Sequence, residues 1–76
     1  MEVSVELTTP LDIGSRLKSL RQNRNLSLRE LAKKSTVSVN ALSLIERNKT
    51  SPTVSTLTYI ARALNIEVAA FFLPED

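Results

Sequence analysis

The chain has 76 residues and a formal net charge of +2, from ten lysines and arginines against eight acidic residues. It contains no cysteine and no histidine, which excludes disulfides, thiolate chemistry and zinc sites built from those residues. The length suits one domain, no apolar run approaches the roughly 20 residues that span a bilayer, and the acidic N-terminus is unlike a signal peptide, so we expect a cytoplasmic protein.

The first residues are predicted to form an arm rather than part of the domain. Val3, Val5 and Leu7 alternate with polar neighbours, which is a weak strand pattern. A lone strand is not stable by itself, so the segment is either an arm or an edge that pairs with another copy, and we favour the arm. This divides the chain into an arm over 1–9, a domain over 10–73 and a tail over 74–76.

Helix 1 is predicted to begin near Thr9 and Pro10. Thr9 can serve as the N-cap, Pro10 suits the first helical position, and Asp12 completes a capping pattern. An apolar stripe at helical spacing follows, made of Ile13, Leu17 and Leu20. Asparagines after the stripe tolerate the left-handed conformation in which helices end.

The next two predicted helices form a helix-turn-helix pattern. Ser27 and Glu30 make a capping box for helix 2, which runs to about Ser35. Ser38 can cap helix 3, which runs to about Arg47. Small and apolar residues stand where the two helices must touch: Leu31, Ala32, Val37, Leu42 and Ile45. In this arrangement the second helix can lie in the DNA major groove.

Two further helices complete the prediction. Thr53 can cap helix 4, which ends near Asn65. Its apolar stripe is Val54, Leu57, Ile60, Ala61 and Leu64. A fifth short helix is predicted over about 68–73. Five short helices joined by short loops predict an all-α bundle.

The charge distribution is less even than the net value. All ten basic residues lie between Arg16 and Arg62, where only Glu30 and Glu46 oppose them, so this stretch carries ten minus two, or +8. A basic middle with acidic flanks fits a nucleic-acid footprint. The alternative is ordinary solvated charge, which keeps a small domain soluble.

Several strings of the sequence together indicate a family. They are Ile13–Arg21, Ser27–Ala32, Leu42–Arg47 and Ser51–Leu57, followed by Ile60–Leu64. Over about residues 11–73 the chain resembles the Cro/C1-type, or XRE, helix-turn-helix family. The resemblance implies a five-helix lambda-repressor-like bundle and a transcriptional regulator, which we expect to be a repressor, that binds specific double-stranded DNA.

The resemblance places base-reading residues at the start of helix 3: Ser38, Val39, Asn40, Ser43 and Leu44. Asn40 is the best candidate, because an amide can pair bidentately with adenine. Ser38 can equally be only the N-cap. Val39 and Leu44 depart from the family's polar pattern and cannot hydrogen-bond a base, although apolar contact with thymine methyl groups is open to them. We expect Leu44 to be exposed.

The resemblance also places phosphate contacts around helix 3: Ser27, Arg29, Arg47, Lys49 and Thr50. Ser27 and the N–H groups that begin helix 2 offer a helix N-terminus to a phosphate. Such contacts fix the register of the protein on DNA without reading its sequence.

Two structural features are predicted close to this surface. By family position, Arg21 and Glu46 form an ion pair that joins helix 1 to helix 3. Thr36 stands in a turn where the family often has glycine, so we expect a positive φ there. A β-branched residue in that conformation is strained.

Regulators of this family usually bind inverted repeats as homodimers. The predicted dimer contacts are apolar residues near the C-terminus: Leu57, Ile66, Val68, Phe71 and Phe72. Adjacent residues in a helix differ by about 100°, so Phe71 and Phe72 cannot both enter one small core. One of them is expected on the surface or in an interface.

Other classes of function are weighed against DNA binding. A single glycine and the absence of histidine and cysteine argue against an enzyme, and no cofactor, metal or small-molecule ligand is predicted. The alternatives are a protein-interaction module on the same fold, such as an antitoxin or adaptor, and the DNA-binding fragment of a larger ligand-responsive regulator.

Overall fold

The structure is a computed structural model that describes residues 12–72. Its elements are α1 (Ile13–Asn23), α2 (Leu28–Ser35), α3 (Val39–Glu46), α4 (Val54–Leu64) and a 3-10 helix (Val68–Phe72). The all-helical prediction is confirmed, but the count of five α-helices is not, since the last element is a tighter 3-10 turn. Within residues 12–72, no helix is long and apolar enough to cross a membrane.

Each α-helix begins at a side chain that accepts a hydrogen bond from the backbone N–H three residues later. Ser27, Ser38 and Thr53 do so for α2, α3 and α4, as predicted, at 3.0–3.1 Å. For α1 the N-cap is Asp12, whose Oδ1 lies 3.0 Å from the Ser15 nitrogen. The described helix therefore begins later than expected, and the proposed cap Thr9 lies outside the described residues. These caps satisfy donors that a helix leaves unpaired.

The core lies where the four helices and the 3-10 helix meet. Helix α2 packs on α3 and α4, α1 packs on α3, and the 3-10 helix closes over α1 and α4. The buried apolar residues are Leu17, Leu20, Leu31, Leu42, Ile45, Leu57, Ile60, Ala61, Leu64 and Phe71. Val54, predicted in the stripe of α4, is instead 73% exposed, because it begins the helix on its outer side.

The close approach of α1 to the end of α3 depends on Gly14. A Cβ atom added there would lie 2.5 Å from the Ile45 carbonyl oxygen and 2.7 Å from that of Glu46. Asn48 completes the junction: its Oδ1 accepts from the Gly14 N–H at 3.2 Å, and its Nδ2 donates to Asp12 at 2.7 Å. The N-terminus of α1 is thus tied to the C-terminus of α3 by backbone proximity and one bridging amide.

Three arginines in or just after α1 also serve the fold. Arg16 Nε donates to the Ala70 carbonyl at 2.9 Å, and Arg24 Nε donates to the Leu64 carbonyl at 3.0 Å. Arg21 Nη1 donates to the Leu26 carbonyl at 2.7 Å. These side chains occupy carbonyls at helix ends and in loops, so part of the basic charge seen in the sequence is committed to structure.

Candidate nucleic-acid interface

The turn between α2 and α3 sets the angle between the two helices. Thr36 has φ 62° and ψ 15°, so the predicted positive φ is confirmed. The buried Ser35 side chain accepts from the Val37 N–H at 3.1 Å, and the Thr36 hydroxyl donates to the Ser35 carbonyl. Ser38 then caps α3. Short local hydrogen bonds therefore fix all three residues that separate the helices.

Helix α3 presents one face to the core and the other to solvent. Leu42 and Ile45 are buried, whereas Val39 and Asn40 are exposed and Ser43 is half-buried. Leu44 was expected to be exposed, but it is half-buried, because it stands at the edge of the buried face rather than opposite it. The five residues proposed to read bases therefore differ in exposure: Ser38, Val39 and Asn40 are exposed, whereas Ser43 and Leu44 are half-buried.

The predicted capping box occupies the N-terminus of α2. The capping box is present: the Ser27 N–H donates to Glu30 Oε1 at 2.7 Å, and Ser27 Oγ accepts from the Glu30 N–H at 3.0 Å. The bond from the Ser27 backbone N–H holds the pKa of the Glu30 carboxyl below its usual value. An ionised carboxylate thus sits where a phosphate would approach, and Ser27 has only its hydroxyl hydrogen left to offer.

Exposed cations flank the outer face of α3. Arg29, Arg47 and Lys49 are exposed, as is Thr50. Arg47 Nε donates weakly to the Ser43 carbonyl at 3.4 Å, which leaves the rest of its guanidinium directed outward. Unlike the arginines of α1, these side chains are not fixed by loop carbonyls, so they can reach a ligand.

The structure brings together Arg21 and Glu46. Arg21 Nε lies 2.7 Å from Glu46 Oε2, and Nη2 lies 3.0 Å from Oε1, so the pair is bidentate. The side chains are only 11% and 6% exposed. The hydrogen bond that Arg21 donates to Glu46 raises the pKa of Arg21 further above its usual value. The pair fixes the end of α3 to α1 and takes Glu46 away from the binding face.

The predicted dimer contacts separate into three groups. Leu57 and Phe71 are 3% and 2% exposed and belong to the core, which corrects their assignment to an interface. Ile66 and Val68 are half-buried against the core. Phe72 is 42% exposed, so of the two adjacent phenylalanines it is the one on the surface.

Two residues of this site and its frame escaped the sequence reasoning. Gly14 was a visible signal as the only glycine of the chain, but its packing partner lies more than 30 residues away. Asn48 had the signal of a turn asparagine, and it does adopt a positive φ of 57°.

Known proteins share the sequence pattern of this fold. The sequence profile of the helix-turn-helix family matches residues 17–71. The chain belongs to the helix-turn-helix family. This helix-turn-helix chain is 47% identical over 62 residues to the HTH-type transcriptional regulator SutR of Escherichia coli, covering 82% of the chain and 35% of SutR.

A phage repressor and a controller protein are also similar to this chain. The immunity repressor protein of Bacillus phage phi105 is 40% identical over 60 residues, with 79% of the helix-turn-helix chain and 42% of the repressor covered. The crystal structure of the restriction-modification controller protein C.AhdI from Aeromonas hydrophila superposes with a TM-score of 0.79 at 29% identity, covering 82% of this chain and 94% of that one. The chain thus spans 35% of the length of SutR and 42% of the length of the phage repressor.

Proposed function

We propose that this chain is the DNA-binding domain of a transcriptional regulator that lays α3 in the major groove of a specific duplex. The observation that carries the proposal is the solvent-facing side of α3, where the exposed Asn40 and the half-buried Ser43 lie beside exposed cations while both ends of the helix are held in place. An α-helix fits the major groove, and an amide there can distinguish adenine.

The frame around α3 supports this proposal. The Arg21–Glu46 pair and the Gly14–Asn48 junction hold the C-terminal end of α3, and the Thr36 turn holds its N-terminal end. A helix fixed at both ends presents its side chains at constant angles, which sequence-specific hydrogen bonding requires. Arg29, Arg47, Lys49 and Thr50 are the proposed phosphate contacts, with the Ser27 hydroxyl as a lesser one.

We infer a homodimer acting on an inverted repeat, with repression as the outcome. The name of the phage relative supports repression. For the dimer contact we propose Phe72 with the half-buried Ile66 and Val68, on the surface that the 3-10 helix leaves outward. Action on DNA would place the protein at the bacterial nucleoid.

Selection from a random double-stranded DNA pool at near-physiological salt tests the base-reading proposal. We expect enrichment of an inverted repeat with half-sites about 10 bp apart, one turn of the duplex. Asn40→Ala should weaken binding and relax the preference at one position of each half-site. A pool without any enriched sequence would overturn the proposal and favour the protein-interaction alternative.

The salt dependence of binding tests the phosphate contacts. Each neutralised phosphate contributes a slope of about −0.9 in a plot of log K against log salt, so three cations in each of two protomers give about −5. Lys49→Gln should make this slope shallower by about 2 for the dimer. The matched control is Lys18→Gln, an exposed lysine on α1, which should leave the slope unchanged.

Sedimentation of single variants tests the dimer. Phe72→Glu should shift the protein to the monomer while its helical circular dichroism stays intact, because Phe72 is exposed. Phe71→Glu should instead unfold the domain, because that ring is in the core. Unchanged association of the Phe72 variant would mean that the protomers meet elsewhere.

A further inference from the structure

A groove opens beside the turn, between the first turns of α2 and the start of α3. Its apolar wall is formed by Ala32, Val37 and Val39, and Arg29 and Lys33 line it from α2. Val39 is 39% exposed, so this wall is open to solvent. An apolar surface with two cations along one side lies on the face proposed to meet DNA.

The fold itself does not require an apolar residue at position 39. Val39 is the first residue of α3, the cap of the helix is supplied by Ser38, and the core contacts of α3 come from Leu42 and Ile45. Leu44 lies five positions after Val39, which places the two residues about 140° apart around the helix. Of the two apolar departures from the family pattern, only Val39 therefore lines the groove.

The two cations of the groove are suited to contact phosphates on the outside of a DNA duplex. Arg29 and Lys33 are four residues apart, so they share one face of α2. Both are exposed, and within residues 12–72 neither makes a hydrogen bond or an ion pair. The outside of a duplex offers phosphates to such cations, while the floor of its major groove offers one apolar group, the C5-methyl of thymine.

We propose that this groove receives a pyrimidine C5-methyl group against Val39, which makes Val39 a specificity-determining residue. The inference rests on the proposed function and adds the chemical group that the site selects. Thymine carries this methyl in every duplex, and 5-methylcytosine presents the same group at the same position of the ring.

The test uses the duplex enriched from the random pool. Each thymine is replaced in turn by deoxyuridine, which removes only the methyl group and leaves the base pair intact. At one position per half-site we expect an affinity loss of about fourfold, the contribution of one buried CH₂-sized group. A cytosine at that position should lose affinity, and its 5-methyl derivative should recover about the same fourfold.

Combining the deoxyuridine substitution with a protein variant identifies the residue that contacts the methyl group. In Val39→Ala the deoxyuridine penalty should disappear, since the methyl group has lost its partner, and alanine is well tolerated at an exposed helical position. Leu44→Ala is the matched control on the other flank of α3 and should retain the penalty. Melting temperatures of both variants should show that they fold.

The outcomes separate this inference from the proposal beneath it. An enriched site with no deoxyuridine-sensitive thymine, or a penalty that persists in Val39→Ala, overturns the methyl contact and leaves sequence-specific binding standing. Failure to enrich any sequence overturns both.

Discussion

Replacing Thr36 with glycine should stabilise this domain. Four described residues have positive φ, and three of them are asparagines, at 25, 48 and 65, which tolerate this conformation. Thr36 is the β-branched exception at φ 62°. The left-handed conformation costs an ordinary residue roughly 1–2 kcal/mol, and glycine removes this cost.

Two effects reduce the gain. Glycine gives the unfolded chain more freedom, which opposes folding by about 0.4–1 kcal/mol. The local bond from the Thr36 hydroxyl to the Ser35 carbonyl is also lost. We therefore expect a net gain of about 0.5–1 kcal/mol, which raises the melting temperature of a domain this size by about 2–8 °C.

Thermal unfolding followed by circular dichroism measures this gain. Thr36→Asn, which keeps a Cβ but removes the branch, should give a smaller gain in the same direction. Asn65→Gly is the matched control, at φ 60° in the C-cap of α4, and should change stability little. A melting temperature for Thr36→Gly at or below that of the parent protein would refute strain at this turn.

Three further changes test the frame of α3. Gly14→Ala should lower the free energy of unfolding by about 1–3 kcal/mol, because the new Cβ meets the rigid carbonyl of Ile45. The melting temperature should fall markedly as a result. Glu46→Gln should cost about 3 kcal/mol in denaturant unfolding, because it leaves the largely buried charge of Arg21 without its partner. The pKa of the Glu30 carboxyl is lowered in the folded protein. The contribution of this carboxylate to the free energy of unfolding is therefore present above the ordinary carboxyl pKa, and it is lost as pH falls through the lower folded value. Glu30→Gln should flatten the acid side of the stability profile, and an unchanged profile would argue against the capping box.

Local chemistry explains which features the sequence could predict. The caps Ser27, Ser38 and Thr53 depend on residues three positions apart, and the Thr36 turn depends on its two neighbouring helices, so both can be recognised in a short window. The apolar stripe of α3 was equally visible, since Leu42 and Ile45 recur at helical spacing.

Features that depend on contacts between residues far apart in the sequence were not predictable in this way. The Gly14–Asn48 junction joins residues 34 positions apart, and only the crossing of two helices shows why no Cβ fits there. For the same reason Leu57 and Phe71 were assigned to an interface. A helical period shows that a residue is on an apolar face, but not whether the protomer or a second copy covers that face.

The division of the arginines changes how the basic charge of this chain should be understood. Arg16, Arg21 and Arg24 all donate to carbonyls of the fold, and Arg21 also neutralises Glu46. The +8 of the central stretch therefore overstates the charge available to DNA, and the exposed cations proposed to contact DNA lie on α2 and after α3. Arg21 holds α3 against α1 through its pair with Glu46, whereas Arg16 donates to the 3-10 helix and Arg24 to the end of α4. The proposed binding of DNA therefore depends on the side chains that the Arg21–Glu46 pair positions, with less reliance on total charge.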